Sequence, residues 1–600
     1  MTPTSTATQA AQQGHQHLRN GLAAYQAGDL AGAERHYHAC LRCVPDHPEA
    51  LHLLGLLQTQ RHDHAGAAQW IERSLRLRHD NPVAWNNLGN VYRSLDRASD
   101  ALRCYQQALA LRPAYPMAMV NQAATLAPTR PEEALQCYQA AAAMVGNPQA
   151  HAGPALELRM ALCDWEGVAP ALAHVRSLTD PGSGAVQPFS AQALLDDPAW
   201  HLRVAQAYAR FHHPSDQRLG PMPRWPEHQR IRVGYFSADL HSHATAWLMA
   251  ELFEQHDRTR FEWWAFSFGP ASADPIRHRL EAAFDHFIDV RGQSDAAIAQ
   301  LARSLEIDIA IDLKGFTQDQ RAGIFALRAA PVQVNYLGYP GSMGMPNMDY
   351  LLGDHHVTPD VLKAVCSEQV VRLPHCYQPN DRQRRADPTP TRASQGLPES
   401  GVVFCCFNNN YKVTPEVFGL WMDILRDVPD SVLWLYLRHT AAQDRLRREA
   451  QARGVDPQRL VFATTLPHAQ HLARYPLADL FLDTLPYNAH TTASDALWMG
   501  LPVLTRRGQS FASRVASSLL HAVNLPELVT DTPDAYRALA VSLARQPERL
   551  AHLRSHLLSQ RDQLPLFDTP RLARAIEHAY AHMHQRQRNG QAPQAFDVPD

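Results

Sequence analysis

The sequence predicts a multidomain chain, an α-helical repeat superhelix followed by two Rossmann-like α/β domains, each a parallel sheet with helices on both faces. Three observations carry this reading. Small and apolar residues recur with a period of about 34 residues in the first part of the chain. From Ile231 onward, short apolar runs alternate with helical segments, the pattern of a doubly wound sheet. The length of 600 residues exceeds what one core usually organises.

The repeats come first. Trp85, Leu88, Gly89, Tyr92, Ala101, Tyr105, Ala108 and Pro113 reproduce the tetratricopeptide pattern of a helical hairpin whose small residues allow close packing. One period earlier stand Leu51, Leu54, Gly55, Ala67 and Ile71, and another earlier Gly21, Ala33, Tyr37 and Pro45. A weaker unit runs from Met119 through Ala134, Tyr138 and Ala141. Residues 14–150 therefore form roughly three to four repeats, whose concave face suits a protein or peptide segment. A spacer or dimerisation arm is the alternative.

Residues 151–227 read as a helical connector, with helices near 155–163 and 191–211, ending in a proline-rich turn at 221–226. The first α/β domain is expected over 228–385, with strands at 231–236, 261–268, 307–313 and 332–336 and helices at 244–256 and 295–305. A polar, proline-bearing stretch near 378–400 interrupts the pattern. The second domain, 398–582, carries strands at 402–407, 432–437, 460–463, 480–482 and 502–504. Two such halves enclose a cleft at the carboxyl ends of their strands, where ligands bind. Neither has a GxGxxG turn, which disfavours a dinucleotide dehydrogenase. The polar tail 583–600 is expected to be disordered.

Composition excludes several classes. Lys and Arg number 56 against 59 Asp and Glu, a formal net charge of −3, so no basic field points to nucleic acid. No basic segment with an apolar core opens the chain, and no apolar run is long enough to span a bilayer, so a cytoplasmic protein without a membrane partner is expected. The nine cysteines are scattered, and Cys40 and Cys43 lie alone in a repeat helix. With no HExxH and no paired CxxC, no metal is expected.

Chemistry concentrates at strand-to-helix junctions. The apolar run 480–482 leads through Asp483 to Asn488-Ala489-His490-Thr491-Thr492-Ala493-Ser494-Asp495, where free backbone N–H groups and two hydroxyls suit a diphosphate. Asp495, four residues after Thr491, faces the same side and suits ribose hydroxyls. The plain alternative is an N-cap with a favourable first-turn charge. Phe407-Asn408-Asn409-Asn410-Tyr411-Lys412 precedes a helix opened by Thr414 and Pro415, which places Lys412 at the cleft edge. An ammonium there stabilises charge growing on a diphosphate leaving group. In the first half, Ser237-Ala238-Asp239-Leu240-His241-Ser242-His243 follows a strand, and His243 can donate to a phosphate or sugar or orient an acceptor hydroxyl. Gly338-Tyr339-Pro340-Gly341 permits close backbone approach.

The order of these segments resembles the tetratricopeptide-containing O-linked N-acetylglucosamine transferases and their SPINDLY-like relatives. The resemblance spans about 14–580 and also rests on Leu313-Lys314-Gly315-Phe316-Thr317, Phe325-Ala326-Leu327-Arg328-Ala329-Ala330-Pro331 and Leu337-Gly338-Tyr339-Pro340-Gly341. It implies a GT-B fold and inverting, metal-independent transfer of N-acetylglucosamine from UDP-GlcNAc to serine or threonine hydroxyls of proteins, with no cofactor. By resemblance, Lys412 and His243 are catalytic; Lys412, His490, Thr491 and Thr492 hold phosphate, and Asp495 takes the ribose. Asn409 and His468 lie near the nucleotide, His471 and Arg474 beside uracil, and Thr317, Leu337 and Gly338 on the sugar and acceptor side. His468 stands where the animal enzymes carry lysine, Asn409 where they carry glutamine, and Phe316 where tyrosine is common. A transferase with another donor or a non-protein acceptor, and an inactive tetratricopeptide adaptor, are the other readings.

Overall fold

The structure is a computed structural model that describes residues 3–61, 63–147, 150–178, 186–437 and 439–600, without the side chains of 3–8. It divides into two compact units, Met1–Leu158 and Arg159–Asp600.

The first unit is a run of helices: α1 (Pro3–Gln26), α2 (Leu30–Cys43), α3 (Pro48–Gln60), α4 (His64–Leu77), α5 (Pro82–Ser94), α6 (Ala98–Leu111), α7 (Pro116–Leu126) and α8 (Pro131–Met144), followed by α9 (Ala152–Ala161), within which the division falls. Local chemistry sets the boundaries. Asp29 and Asp63 accept the backbone N–H of Gly32 and Gly66, and Pro48, Pro82, Pro116 and Pro131 open their helices at a position that needs no N–H. Close approach within each hairpin explains the repeat glycines. A Cβ on Gly89 would sit 2.5 Å from the Tyr105 ring, and one on Gly55 2.4 Å from Ile71.

In the second unit, α10 (Val168–Ser177), α11 (Pro188–Leu194) and α12 (Pro198–His212) precede the first sheet. The single helix expected at 191–211 is broken because Asp197 caps a new helix through Trp200 N and Pro198 takes its first position. The first half then alternates β1 (Ile231–Ser237), α13 (Ala244–Gln255), β2 (Phe261–Ser267), α14 (Pro275–Ala283), β3 (His286–Asp289), α15 (Asp295–Ser304), β4 (Ile309–Asp312), α16 (Gly323–Ala326), β5 (Val332–Asn335), β6 (Tyr350–Asp354) and β7 (Gln369–Leu373). The second half runs β8 (Val402–Cys406), α17 (Pro415–Asp427), β9 (Ser431–Tyr436), α18 (Thr440–Ala452), β10 (Leu460–Ala463), α19 (His468–Arg474), β11 (Leu480–Leu482), α20 (Thr491–Trp498), β12 (Val503–Arg506), α21 (Val515–Ala522), β13 (Val529–Thr530), α22 (Pro533–Ala544) and α23 (Pro547–Ser559). Then α24 (Thr569–Arg588) and β14 (Phe596–Asp597) close the chain described.

Both sheets are parallel, in the orders β14-β7-β6-β5-β4-β1-β2-β3 and β10-β9-β8-β11-β12-β13. Strand order reverses between β1 and β4 in the first and between β8 and β11 in the second. Those are the switch points where a doubly wound sheet opens a crevice for ligands.

The expected disorder of 583–600 is corrected. α24 extends to Arg588, β14 pairs with β7 through Phe596↔Val371 and Asp597↔Arg372, and Val598 is buried. Polar composition hid a two-residue edge strand, Phe596–Asp597, followed by the buried Val598. α24 also packs on the first half, where Glu577 accepts His256 Nδ1 at 3.1 Å and Asp257 N at 2.8 Å. The last segment therefore belongs, by packing, with the first sheet.

Candidate functional site

The second half gathers a cluster of polar groups between the ends of β8 and β11. The buried Asp483 carboxylate accepts the N–H groups of Thr484 and Ala489 at 2.7 and 2.6 Å and the Thr505 hydroxyl at 2.7 Å. This pins the loop after β11. Asn408 joins it to the loop after β8, donating to Thr484 Oγ1 at 2.8 Å and accepting from Thr492 Oγ1 at 2.5 Å. Lys412, at the end of a short turn, is buried; its Nζ donates to the Asn488 carbonyl at 2.9 Å and lies 3.7 Å from the centroid of the Tyr487 ring. Burial lowers its pKa to about 8, opposed by Asp483, which burial shifts upward.

His490 precedes α20 and directs Nε2 at the Ala512 carbonyl, 3.2 Å away. Burial, reinforced by Lys412, holds it well below the usual histidine range, so the ring is neutral and Nε2 carries the proton. Helix geometry leaves the N–H groups of Thr491 and Thr492 without intrahelical partners. One ammonium, two N–H groups and the helix dipole thus converge at one end of α20.

Asp495 lies on the first turns of α20 with its side chain 5% exposed. Its Oδ1 accepts Arg384 Nη1 at 2.7 Å, and His468 Nε2 stands 3.6 Å from Oδ2. Burial works against the charge, yet His468 and Arg384 hold the carboxyl below its ordinary range. Arg474 is fully buried, donating Nη1 to the Thr464 carbonyl at 2.9 Å, while Nε and Nη2 have no hydrogen-bond partner among the described residues. The guanidinium lies 5.8 Å from the Phe407 ring centroid and 6.0 Å from that of Trp434. His471 lies within 3.3 Å of the Tyr475 hydroxyl, its pKa lowered to about 4 by burial. Asn409 is exposed, and its carbonyl accepts Lys412 N. A cavity of about 660 Å³, lined by Leu437, Arg447, Phe462 and Thr464 among others, lies on the outer side of β10; none of the expected site residues lines it.

The first half gathers a second set at the β1/β4 switch point. Asp239 accepts Lys314 Nζ at 2.8 and 2.7 Å and the Thr245 hydroxyl at 3.2 Å. His243 caps α13, its Nδ1 accepting Thr245 N at 3.2 Å, with Asp239 Oδ2 3.4 Å away. Burial lowers the His243 pKa and Asp239 opposes it. With Nδ1 accepting, the neutral ring presents an Nε2–H donor, which suits orienting a hydroxyl or phosphate better than removing a proton. Thr317 donates to the Lys314 carbonyl at 2.9 Å. Leu337 holds φ +66°, and a Cβ on Gly338 would fall 2.0 Å from the Leu313 carbonyl, so this turn lies against the loop after β4.

The two sets meet through residues that sequence reasoning missed. Trp247, one turn beyond His243 on α13, stacks on His468 with centroids 3.8 Å apart and planes 8° from parallel. Its i, i+4 relation to His243 is a signal available in the sequence. Arg384 has none, lying in the polar linker.

A model of glycosyl transferase family 41 matches residues 211–387 and 380–576. The chain belongs to glycosyl transferase family 41. A tetratricopeptide repeat model matches 82–115. Among family relatives, the probable UDP-N-acetylglucosamine–peptide N-acetylglucosaminyltransferase SEC of Arabidopsis thaliana is 36% identical over 73% of this chain and 47% of its own length. The UDP-N-acetylglucosamine–peptide N-acetylglucosaminyltransferase of Caenorhabditis elegans is 28% identical over 60% of this chain and 41% of its own. The chain spans about half the length of the curated relatives it matches. A solved structure of a mutant Thermobaculum terrenum O-GlcNAc transferase is 30% identical, covering 98% of this chain and 99% of that one with a TM-score of 0.61. The two parallel α/β halves after a helical repeat region are therefore the GT-B-like arrangement of a family 41 member.

Proposed function

We propose that this chain transfers N-acetylglucosamine from UDP-GlcNAc to serine or threonine hydroxyls of proteins, with inversion at the sugar carbon and without a divalent ion. The observation that carries this reading is the buried Lys412 ammonium beside the N-terminus of α20, flanked by His490, Thr491 and Thr492. As the bond from sugar to diphosphate breaks, negative charge grows on the leaving oxygen. A desolvated ammonium and helix N–H groups already in place stabilise that charge without reorganising.

Asp495 offers Oδ2 to the ribose, and the unpaired Arg474 donors suit the base. His243, Thr317, Leu337 and Gly338 face the sugar and the acceptor, with His243 orienting through Nε2–H. The acceptor hydroxyl attacks from the side opposite UDP, its segment held along the repeat groove. Unpaired thiols at all nine cysteines are in keeping with a cytoplasmic setting, and among the described residues no helix is long and apolar enough to cross a membrane.

Calorimetric titration with UDP, and GDP as control, in excess chelator tests the donor reading. Micromolar UDP-selective binding, about −8 kcal/mol, is expected. GDP selectivity, or no binding of either nucleotide, would overturn it.

A further inference from the structure

We propose that Trp247 is a specificity-determining residue of the donor site, clamping the His468 ring so that His468 Nε2 and Asp495 Oδ2 together read a ribose hydroxyl. The inference rests on the uridine-diphosphate reading above.

Three observations converge. On Asp495, Oδ2 is the freer oxygen for a ligand. Oδ1 is taken by Arg384, and that guanidinium is itself fixed, donating Nε to the Asp381 carbonyl at 2.9 Å and Nη2 to Asn380 Oδ1 at 2.5 Å. The second observation is that His468 Nε2 is buried and has no hydrogen-bond partner among the described residues. It points toward Oδ2 across 3.6 Å, too long for a hydrogen bond. A hydroxyl beside both atoms donates to the carboxylate and accepts from the ring N–H, satisfying the two groups at once. The third is the ring stack itself. Without Trp247, the His468 side chain at the start of α19 turns about two bonds and Nε2 loses its aim; with the indole parallel at 3.8 Å, only the in-plane direction remains.

The position of Trp247 in the chain adds a consequence. Its backbone N donates to the His243 carbonyl at 3.0 Å, so the residue holding the ribose reader and the residue facing the sugar share the first turn of α13. The first half thus contributes to nucleotide choice, and the ligand class selected is a ribonucleotide over its deoxy counterparts.

The test compares Kd for UDP, 2′-deoxy-UDP and 3′-deoxy-UDP by calorimetry. The ratio between nucleotides is read because simple loss of folded protein does not change it. Wild type is expected to bind at least one deoxy analogue about tenfold more weakly than UDP, the loss of one charge-assisted hydrogen bond. Trp247→Leu is expected to bring that ratio within about twofold, and Trp247→Phe, which keeps a ring, to restore it. His468→Phe keeps the stack but lacks Nε2, and is expected to behave like Trp247→Leu; it decides alone if Trp247→Leu does not fold. A wild-type protein that binds both deoxy analogues as tightly as UDP, or a variant of either residue that keeps the wild-type ratio, overturns the proposal while leaving the donor reading intact. A wild type that binds no uridine nucleotide overturns both.

Discussion

In the proposed reaction, Lys412 is the side chain on which transfer is expected to depend most. Lys412→Ala removes the one ammonium found at the α20 end of the site among the described residues and is expected to cost about 3 kcal/mol of transition-state stabilisation, a fall of roughly a hundredfold or more in kcat. Initial rates at saturating donor check this, and an unchanged kcat would remove Lys412 from the mechanism. The same residue gives a pH dependence. Free, Lys412 has its pKa lowered to about 8 by burial; a bound diphosphate replaces lost hydration with an opposite charge and raises it. The bound state then holds more protons above about pH 8, so UDP affinity falls as pH rises through that window. His490 acts in the same direction, because its Nε2–H is committed to Ala512 and a phosphate contact at Nδ1 requires a second proton. Titrations at pH 8 in buffers of different ionisation enthalpy are expected to show net proton uptake, and release would contradict it. Lys412, His490 and Asp495 are legible in the sequence because each lies at a strand-to-helix junction. Their partners are not: Arg384 reaches Asp495 from 111 residues away, and only folding joins them.

At the scale of elements, what the sequence reveals depends on whether an element is apolar along its length. β1, β4, β8 and β11 are short buried runs and stand out. β6 and β7 escape notice because they are short and carry buried polar residues at or next to their ends, Asp354 accepting the Ser518 hydroxyl at 2.6 Å and Arg372 donating to the Thr358 carbonyl at 2.8 Å. β14 is hidden in a polar tail. Deleting residues 592–600 exposes the β7 edge and loses the burial of Val598, and is expected to destabilise the second unit by about 2 kcal/mol. Denaturant midpoints read the difference, and an unchanged midpoint would mean that β14 contributes no stability.

At the scale of the second compact unit, the connector around α11 and α12 is packed into both α/β halves rather than being a passive tether. Gln192 of α11 donates to the Pro340 carbonyl at 3.2 Å in the first half, while Asp196 accepts Gln509 N, Ser510 N and the Ser513 hydroxyl at 2.7, 2.8 and 2.7 Å in the second. Asp196→Ala removes three hydrogen bonds, although Ser513 Oγ still accepts Ser510 N at 3.0 Å and donates to the Ser510 carbonyl at 2.9 Å, and is expected to cost about 1 kcal/mol of stability, seen as a lower Tm; a Tm equal to wild type would contradict the role of this contact. Repeat period and strand–helix alternation make the broad architecture readable from the chain alone. The interlock of connector and halves is not readable, because it rests on single polar contacts between segments remote in sequence.

The most direct measurement is transfer itself: the protein with UDP-GlcNAc and serine- or threonine-bearing peptides in excess chelator, followed by mass spectrometry and linkage analysis. β-Linked N-acetylglucosamine on hydroxyl residues, with stoichiometric UDP release and a large loss in Lys412→Ala, is the expected result. No transfer from UDP-GlcNAc, α-linked product, or transfer indifferent to Lys412 would contradict it.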